Sequence, residues 1–190
     1  MFTTDIRRKF VFGAVAAIAA VTLTSCQDFS LNDGSKYRVM EARITERLNQ
    51  EYASVNISAV VSTVDCPRSG RTPTPGEEFI CLADLDGQAV RVEVAVNDRG
   101  FEYSTLDVAY DAAYAAQQLS TNVSEEIGFP VTLNCGEGLK VIPAGDSFVC
   151  PATDENGGIR TIEVTADLDG TTWEIVEEAP TPRALGGRLH

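Results

Sequence analysis

Between residues 36 and 52 the chain reads KYRVMEARITERLNQEY, with Tyr37, Met40, Ile44 and Leu48 recurring every three or four positions. Most of the intervening residues are charged or polar, so the spacing predicts one amphipathic helix. A second stretch, TLDVAYDAAYAAQQLS (105–120), is rich in Ala and sets Val108, Ala112, Ala115 and Leu119 at similar intervals. It predicts a second helix. The pattern after each helix changes to short runs of β-branched residues. ISAVVSTV (57–64) and PVTL (130–133) read as first strands, and EFIC and SFVC as second strands. RVEVAV and TIEVTA alternate apolar and polar positions with a period of two and predict third strands. NDRG and DLDG then supply turns before FEYS and TWEI. The expectation is α+β: two repeated units, each one helix packed on a four-stranded antiparallel sheet.

The two units align residue by residue. Cys66 falls on Cys135, Gly76 on Gly145, Phe79 on Phe148 and Cys81 on Cys150 without a gap. After one inserted residue, VRVEVAVNDRGFEY (90–103) matches RTIEVTADLDGTTW (160–173). A period of about seventy residues predicts two similar domains or half-domains rather than a solenoid of short units. The boundaries follow: a first repeat over 36–104 and a second over 105–176. Residues 177–190 are left as a flexible tail.

The N-terminus has a different pattern. Basic RRKF (7–10) precedes thirteen uncharged residues, VFGAVAAIAAVTL (11–23). That run is too short for a membrane-spanning helix and matches the core of a signal peptide over residues 1–25. It ends in LTSC (23–26), a bacterial lipobox pattern in which Cys26 is lipidated and becomes the new N-terminus. Two acyl chains on Cys26 would anchor the protein stably to the membrane, and residues 26–35 would form a polar tether. IRRKFV also resembles a twin-arginine export signal, with Ile6 where Ser or Thr is usual. The expected location is the extracytoplasmic face of the cell membrane.

Charge narrows the partners. Residues 1–25 hold Arg7, Arg8 and Lys9 against Asp5, so the remainder carries 12 basic and 27 acidic residues, a formal −15. Such a surface repels phosphate backbones, and nucleic acid is not expected as a partner. Lipidation of Cys26 leaves four of the five cysteines, Cys66, Cys81, Cys135 and Cys150. In an exported protein four cysteines pair as two disulfides.

The V-x-C-P start (Val64, Cys66, Pro67), the G-x-x-F-x-C finish (Gly76, Phe79, Cys81), the D-x-D-G turn and the alternating strand resemble a repeated domain of actinobacterial envelope lipoproteins (DUF4333). That domain has no assigned activity. The second unit departs from its motif, with Leu133 for the Val and Gly136 for the Pro. The resemblance spans about 36 to 176 and implies a location and a fold, with no catalytic residues to transfer.

Four cysteines allow three pairings, and the duplication points to Cys66–Cys81 and Cys135–Cys150. Zinc would need clustered ligands, but neither pair has that spacing and the one histidine is His190. No C-x-x-C redox motif is present, and a nucleophilic cysteine would lack a histidine neighbour. The DLDG stretches at 84–87 and 167–170 suggest calcium, but neither completes an EF-hand loop. They are expected to be turns, with any calcium at the second. No catalytic residue, metal or cofactor is therefore expected, and the chain is read as not an enzyme. The leading expectation is a non-catalytic module binding an envelope protein or cell-wall component. The alternatives are a carrier of an apolar ligand and, third, a hydrolase using paired carboxylates. The loops between the paired cysteines differ most between the units, PRSGRTPTP against GEGLKVIPA, and are where different binding would be sought.

Overall fold

A computed structural model describes residues 8–10, 33–68 and 70–176. The elements run β1 (Arg8–Phe10), α1 (Asp33–Ser54), β2 (Val61–Asp65), β3 (Glu78–Leu85), β4 (Gln88–Asn97), β5 (Gly100–Thr105), β6 (Asp107–Asp111), α2 (Ala112–Ile127), β7 (Val131–Leu133), β8 (Leu139–Pro143), β9 (Ser147–Asp154), β10 (Ile159–Asp167) and β11 (Gly170–Val176).

In the first half, strands β2-β3-β4-β5 form an antiparallel sheet in sequence order. Helix α1 lays Tyr37, Met40, Ile44, Leu48 and Tyr52 on it, and Ile44 and Leu48 are fully buried against Val61, Leu85, Val90, Val92 and Val94. Full burial of each large aliphatic side chain contributes about 1.5–3 kcal/mol, which explains why the helix takes its position from that stripe. The second half has the same arrangement: β7-β9-β10-β11 in antiparallel order, with α2 covering Val131, Ile162, Val164 and Trp173 through Leu119 and Val123. Among the described residues the fold is α+β, with two helices, a four-stranded antiparallel sheet in each half and one disulfide in each. Strand β1 extends the second sheet by pairing antiparallel with β11.

Both cysteine brackets close within their own half, Cys66–Cys81 and Cys135–Cys150. The glycine ahead of each second cysteine does the same work twice. Gly76 and Gly145 have φ of 90° and 88°, the left-handed region that glycine enters without steric penalty. Gly76 N–H donates to Val96 O at 2.8 Å, and Gly145 N–H to Ala166 O at 2.7 Å. In return Val96 N–H donates to Glu77 O and Ala166 N–H to Asp146 O, at 2.9 and 3.0 Å. The G-x-x-F-x-C finish is thus a backbone lock that starts the second strand of each half.

The structure differs from the expected pattern around residue 105. The helix predicted over 105–120 begins at Ala112 and runs to Ile127, and residues 107–111 form β6 instead. Asp111 is the N-cap, its carboxylate accepting from Tyr114 N–H at 2.8 Å, and Gly128 at φ 79° closes the helix. β6 pairs with β8, which lies inside the second cysteine bracket, and the two make a ribbon between the halves. Ala109, Leu139 and Val141 from this ribbon belong to the first half's core. The last three residues of the predicted tether, 33–35, belong to α1. Cys26, the lipobox and the tail from 177 lie outside the described residues.

Candidate functional site

The ribbon is held to the first sheet by charge. Asp107, buried on β6, accepts from Arg91 N–H at 2.7 Å and from Arg91 Nε at 3.0 Å, and forms an ion pair with the same guanidinium. That bidentate geometry holds the Arg91 side chain firmly in its charged form, through its hydrogen bonds and attraction to Asp107. Gln88 Nε2 donates to Leu139 O at 2.7 Å, and Leu106 N–H to Arg91 O at 2.9 Å. The second bracket loop is therefore structural: its LKVIP segment is a strand held against the other half. The first bracket loop stays exposed at the surface, secured by Glu41 of α1, which accepts from Cys66 N–H at 3.1 Å and from Arg68 at 3.2 Å.

Above the second sheet the ribbon leaves a cleft of about 500 Å³ between the halves. Its walls are Val108 of β6, Leu119 of α2, Phe148 of β9 and Val164 and Ala166 of β10. Asn56, Tyr114, Gln118 and Asn122 bring neutral polar groups to its lining. Asn56 sits at φ 61°, a left-handed position that asparagine tolerates, where the chain leaves α1. Its Nδ2 donates to Tyr114 OH at 3.4 Å, bridging the halves. Tyr110 stacks on Phe148 at 4.7 Å with an interplanar angle of 15°, and burial pushes its hydroxyl up to about 12. Asp111 also lines the cleft, but its carboxylate is engaged as the α2 cap. The cleft is thus an apolar trough with mostly neutral polar groups in its lining, a make-up suited to apolar and aromatic groups.

A second polar cluster lies under β5. Tyr103 OH donates to Glu51 Oε1 at 3.1 Å, while Glu51 Oε2, Tyr52 OH and Thr105 Oγ1 are buried without protein partners. Loss of water raises the Glu51 carboxyl above its usual range, against the opposing pull of Tyr103 and Arg47.

Both DLDG stretches are hairpin turns. Asp84 Oδ1 accepts from Gly87 N–H at 2.6 Å, and Asp167 Oδ1 from Leu168 N–H at 2.8 Å. Among the described residues, no group of three or more His, Cys, Asp or Glu side chains is placed to hold a metal ion. Among them, too, no helix is long and apolar enough to cross a membrane. The cleft residues were missed in the sequence because they come from six separate elements and the loop after α1. The usable signal was Asp111, an N-cap residue that marks the helix as starting after DVAYD.

Residues 17–100 match the family described as a domain of unknown function (DUF4333). The match takes in part of the apolar N-terminal run, the LTSC stretch (23–26), α1 and the first sheet up to the start of β5. No curated protein matches the chain, and no solved structure does.

Proposed function

We propose that this is a lipid-anchored, extracytoplasmic binding module without catalytic chemistry, tethered through Cys26, that holds a partner or ligand in the cleft between its halves. The observation that carries this reading is the cleft itself. Apolar walls with a few neutral polar groups are the usual make-up of a binding pocket, and its volume falls in the usual range. The two disulfides support an oxidising compartment, since such bonds persist outside the cytoplasm. Matching strand order, bracket and glycine lock in the two halves support the second as a further copy of the first. Envelope proteins and cell-wall components are the partners within reach of a tethered chain.

A second reading, carriage of an apolar ligand, is favoured by the same walls. One experiment separates the two. A photo-crosslinking amino acid at Gln118 in the cleft, with one at Leu82 on the outer face of β3 as control, is expected to form adducts in intact cells from the cleft position alone. A polypeptide adduct supports the interaction module and a lipid-sized adduct supports the carrier. Absence of any adduct from Gln118 overturns the assignment of the cleft.

A further inference from the structure

Exposed sheet edges invite pairing, so what covers each edge is informative. The outer edge of β2 faces α1, where Asn49 accepts from Val61 N–H at 2.7 Å and donates to Val61 O at 3.1 Å. The outer edge of β7 faces α2, where the Ser120 and Ser124 hydroxyls accept from Leu133 N–H and Val131 N–H at 2.8 and 2.9 Å. The edge of β11 has a different cover. It is paired with β1, antiparallel, with Arg8 opposite Trp173, Lys9 opposite Thr172 and Phe10 opposite Thr171. Residues 8–10 belong to the segment read as a signal peptide, so export would remove this cover and leave the rest of the sheet in place.

We propose that the edge of β11 is a strand-accepting site in the mature protein, and that the partner is an extended polypeptide segment that adds antiparallel to it and sets an apolar side chain into the cleft. The proposal deepens the binding reading of the cleft and rests on that reading and on removal of residues 1–25.

The backbone geometry supports it. Leu168 and Asp169 form a two-residue turn between Asp167 and Gly170, so these two are a hydrogen-bonded pair. Alternation then directs the N–H and C=O of Thr171, Trp173 and Ile175 away from β10, toward the free edge. Ala166 fits the same alternation: it bonds on the β9 side, to Asp146 O and Gly145 N–H. Thr171 also lines the cleft. Residues opposite each other on paired strands share a face, so the residue an added strand places opposite Thr171 lies on the cleft face of the sheet. Main-chain bonds along β11 would supply affinity, and the cleft would supply selection for an apolar residue at that one position. The formal −15 of the chain after residue 25 favours basic residues in the rest of the segment.

Hydrogen exchange by NMR tests this, comparing the full chain with the chain beginning at residue 26, both carrying Cys26→Ser. The amides of Thr171 and Trp173 are expected to exchange roughly tenfold faster or more in the shorter chain. A synthetic peptide of residues Asp5–Gly13 added to the shorter chain should restore their protection. Replacing Phe10 by Ser in the peptide should weaken binding about tenfold, and N-methylation at Phe10 should abolish it with the protein unaltered. Equal exchange in the two chains, or peptide binding that leaves these amides unprotected, overturns the proposal. So does dimerisation of the shorter chain with β11 protected, which assigns the edge to a second copy. If crosslinks at Gln118 persist while the peptide fails to bind, the strand site falls and the cleft reading stands.

Discussion

Phe79 and Phe148 occupy equivalent places, two residues before the second cysteine of each bracket, and their surroundings show how the halves part company. Phe79 meets Tyr37 from the first turns of α1 at 6.1 Å. Helix α1 has 22 residues and covers its sheet with a continuous stripe. Helix α2 has 16 and starts later relative to its bracket. In place of its missing first turns stands β6, and Phe148 stacks on Tyr110 beside the cleft. One scaffold is closed by a long helix, and the other stays open because its helix gave up two turns to a strand. That strand is committed to the first half, through Arg91–Asp107 and through Ala109, which joins the first half's core with Leu139 and Val141 of its partner β8. The open half therefore depends on the closed half for the wall of its own cleft.

The cores should report this difference. Leu48→Ala in the closed half is expected to cost about 3–4 kcal/mol in urea unfolding, since the cavity it leaves is enclosed. Leu119→Ala should cost about 2 kcal/mol, because the space it leaves joins the cleft and water can enter it. Equal losses would break the distinction between closed and open halves.

The brackets should behave alike. Each encloses 15 residues of separation, so Cys66→Ala with Cys81→Ala, and Cys135→Ala with Cys150→Ala, should each lower stability by about 3 kcal/mol in the chain-entropy model. A clearly smaller loss for the second pair would show that the β6–β8 ribbon constrains that loop by itself.

Asp107→Ala removes the acceptor for the Arg91 main-chain N–H and leaves its guanidinium unmatched. A cost of about 2 kcal/mol is expected, with the single unfolding transition splitting as the ribbon loosens from the first sheet. A variant that unfolds in one step with unchanged midpoint would show that apolar packing of Ala109, Leu139 and Val141 alone joins the halves.

The smallest effect expected is at Glu51, in the closed half. Its carboxyl is raised in the folded chain, chiefly by burial, so the folded state binds the proton more tightly than the unfolded state. Its contribution to stability is present below the unfolded value of about 4.5 and is lost as pH rises through the folded value. Glu51→Gln should flatten that slope and raise the unfolding midpoint slightly at neutral pH, with little change in acid. A larger gain in acid than at neutral pH would contradict the assignment.

The helix of the first half, every strand of the two meanders and the bracket pairing were legible because their signals are local: a 3.6-residue stripe, a period of two, a turn motif and a duplicated spacing. The second helix was legible in its middle and misplaced at both ends. Val108 fits a helical stripe with Ala112 and Ala115 as well as it fits β6, although Asp111 is a capping residue and Gly128 ahead of Phe129-Pro130 is a stop signal. The stretch from Ser120 to Ile127 is helical partly because Ser120 and Ser124 answer the edge of β7, and no helix propensity encodes that partner.

By itself the sequence determined the α+β units, their disulfides, the apolar N-terminal run and the acidic charge, all properties of neighbouring residues or of one half's spacing laid over the other's. Only the tertiary structure decided that LKVIP is a strand, that DVAYD is its partner and that a cleft opens between the halves. A strand needs an edge to bind, and here the partner lies about thirty residues away along the chain with the opposite sheet beneath both. No pattern within either segment contains that information, because the stabilising contacts exist only once both halves have folded against each other.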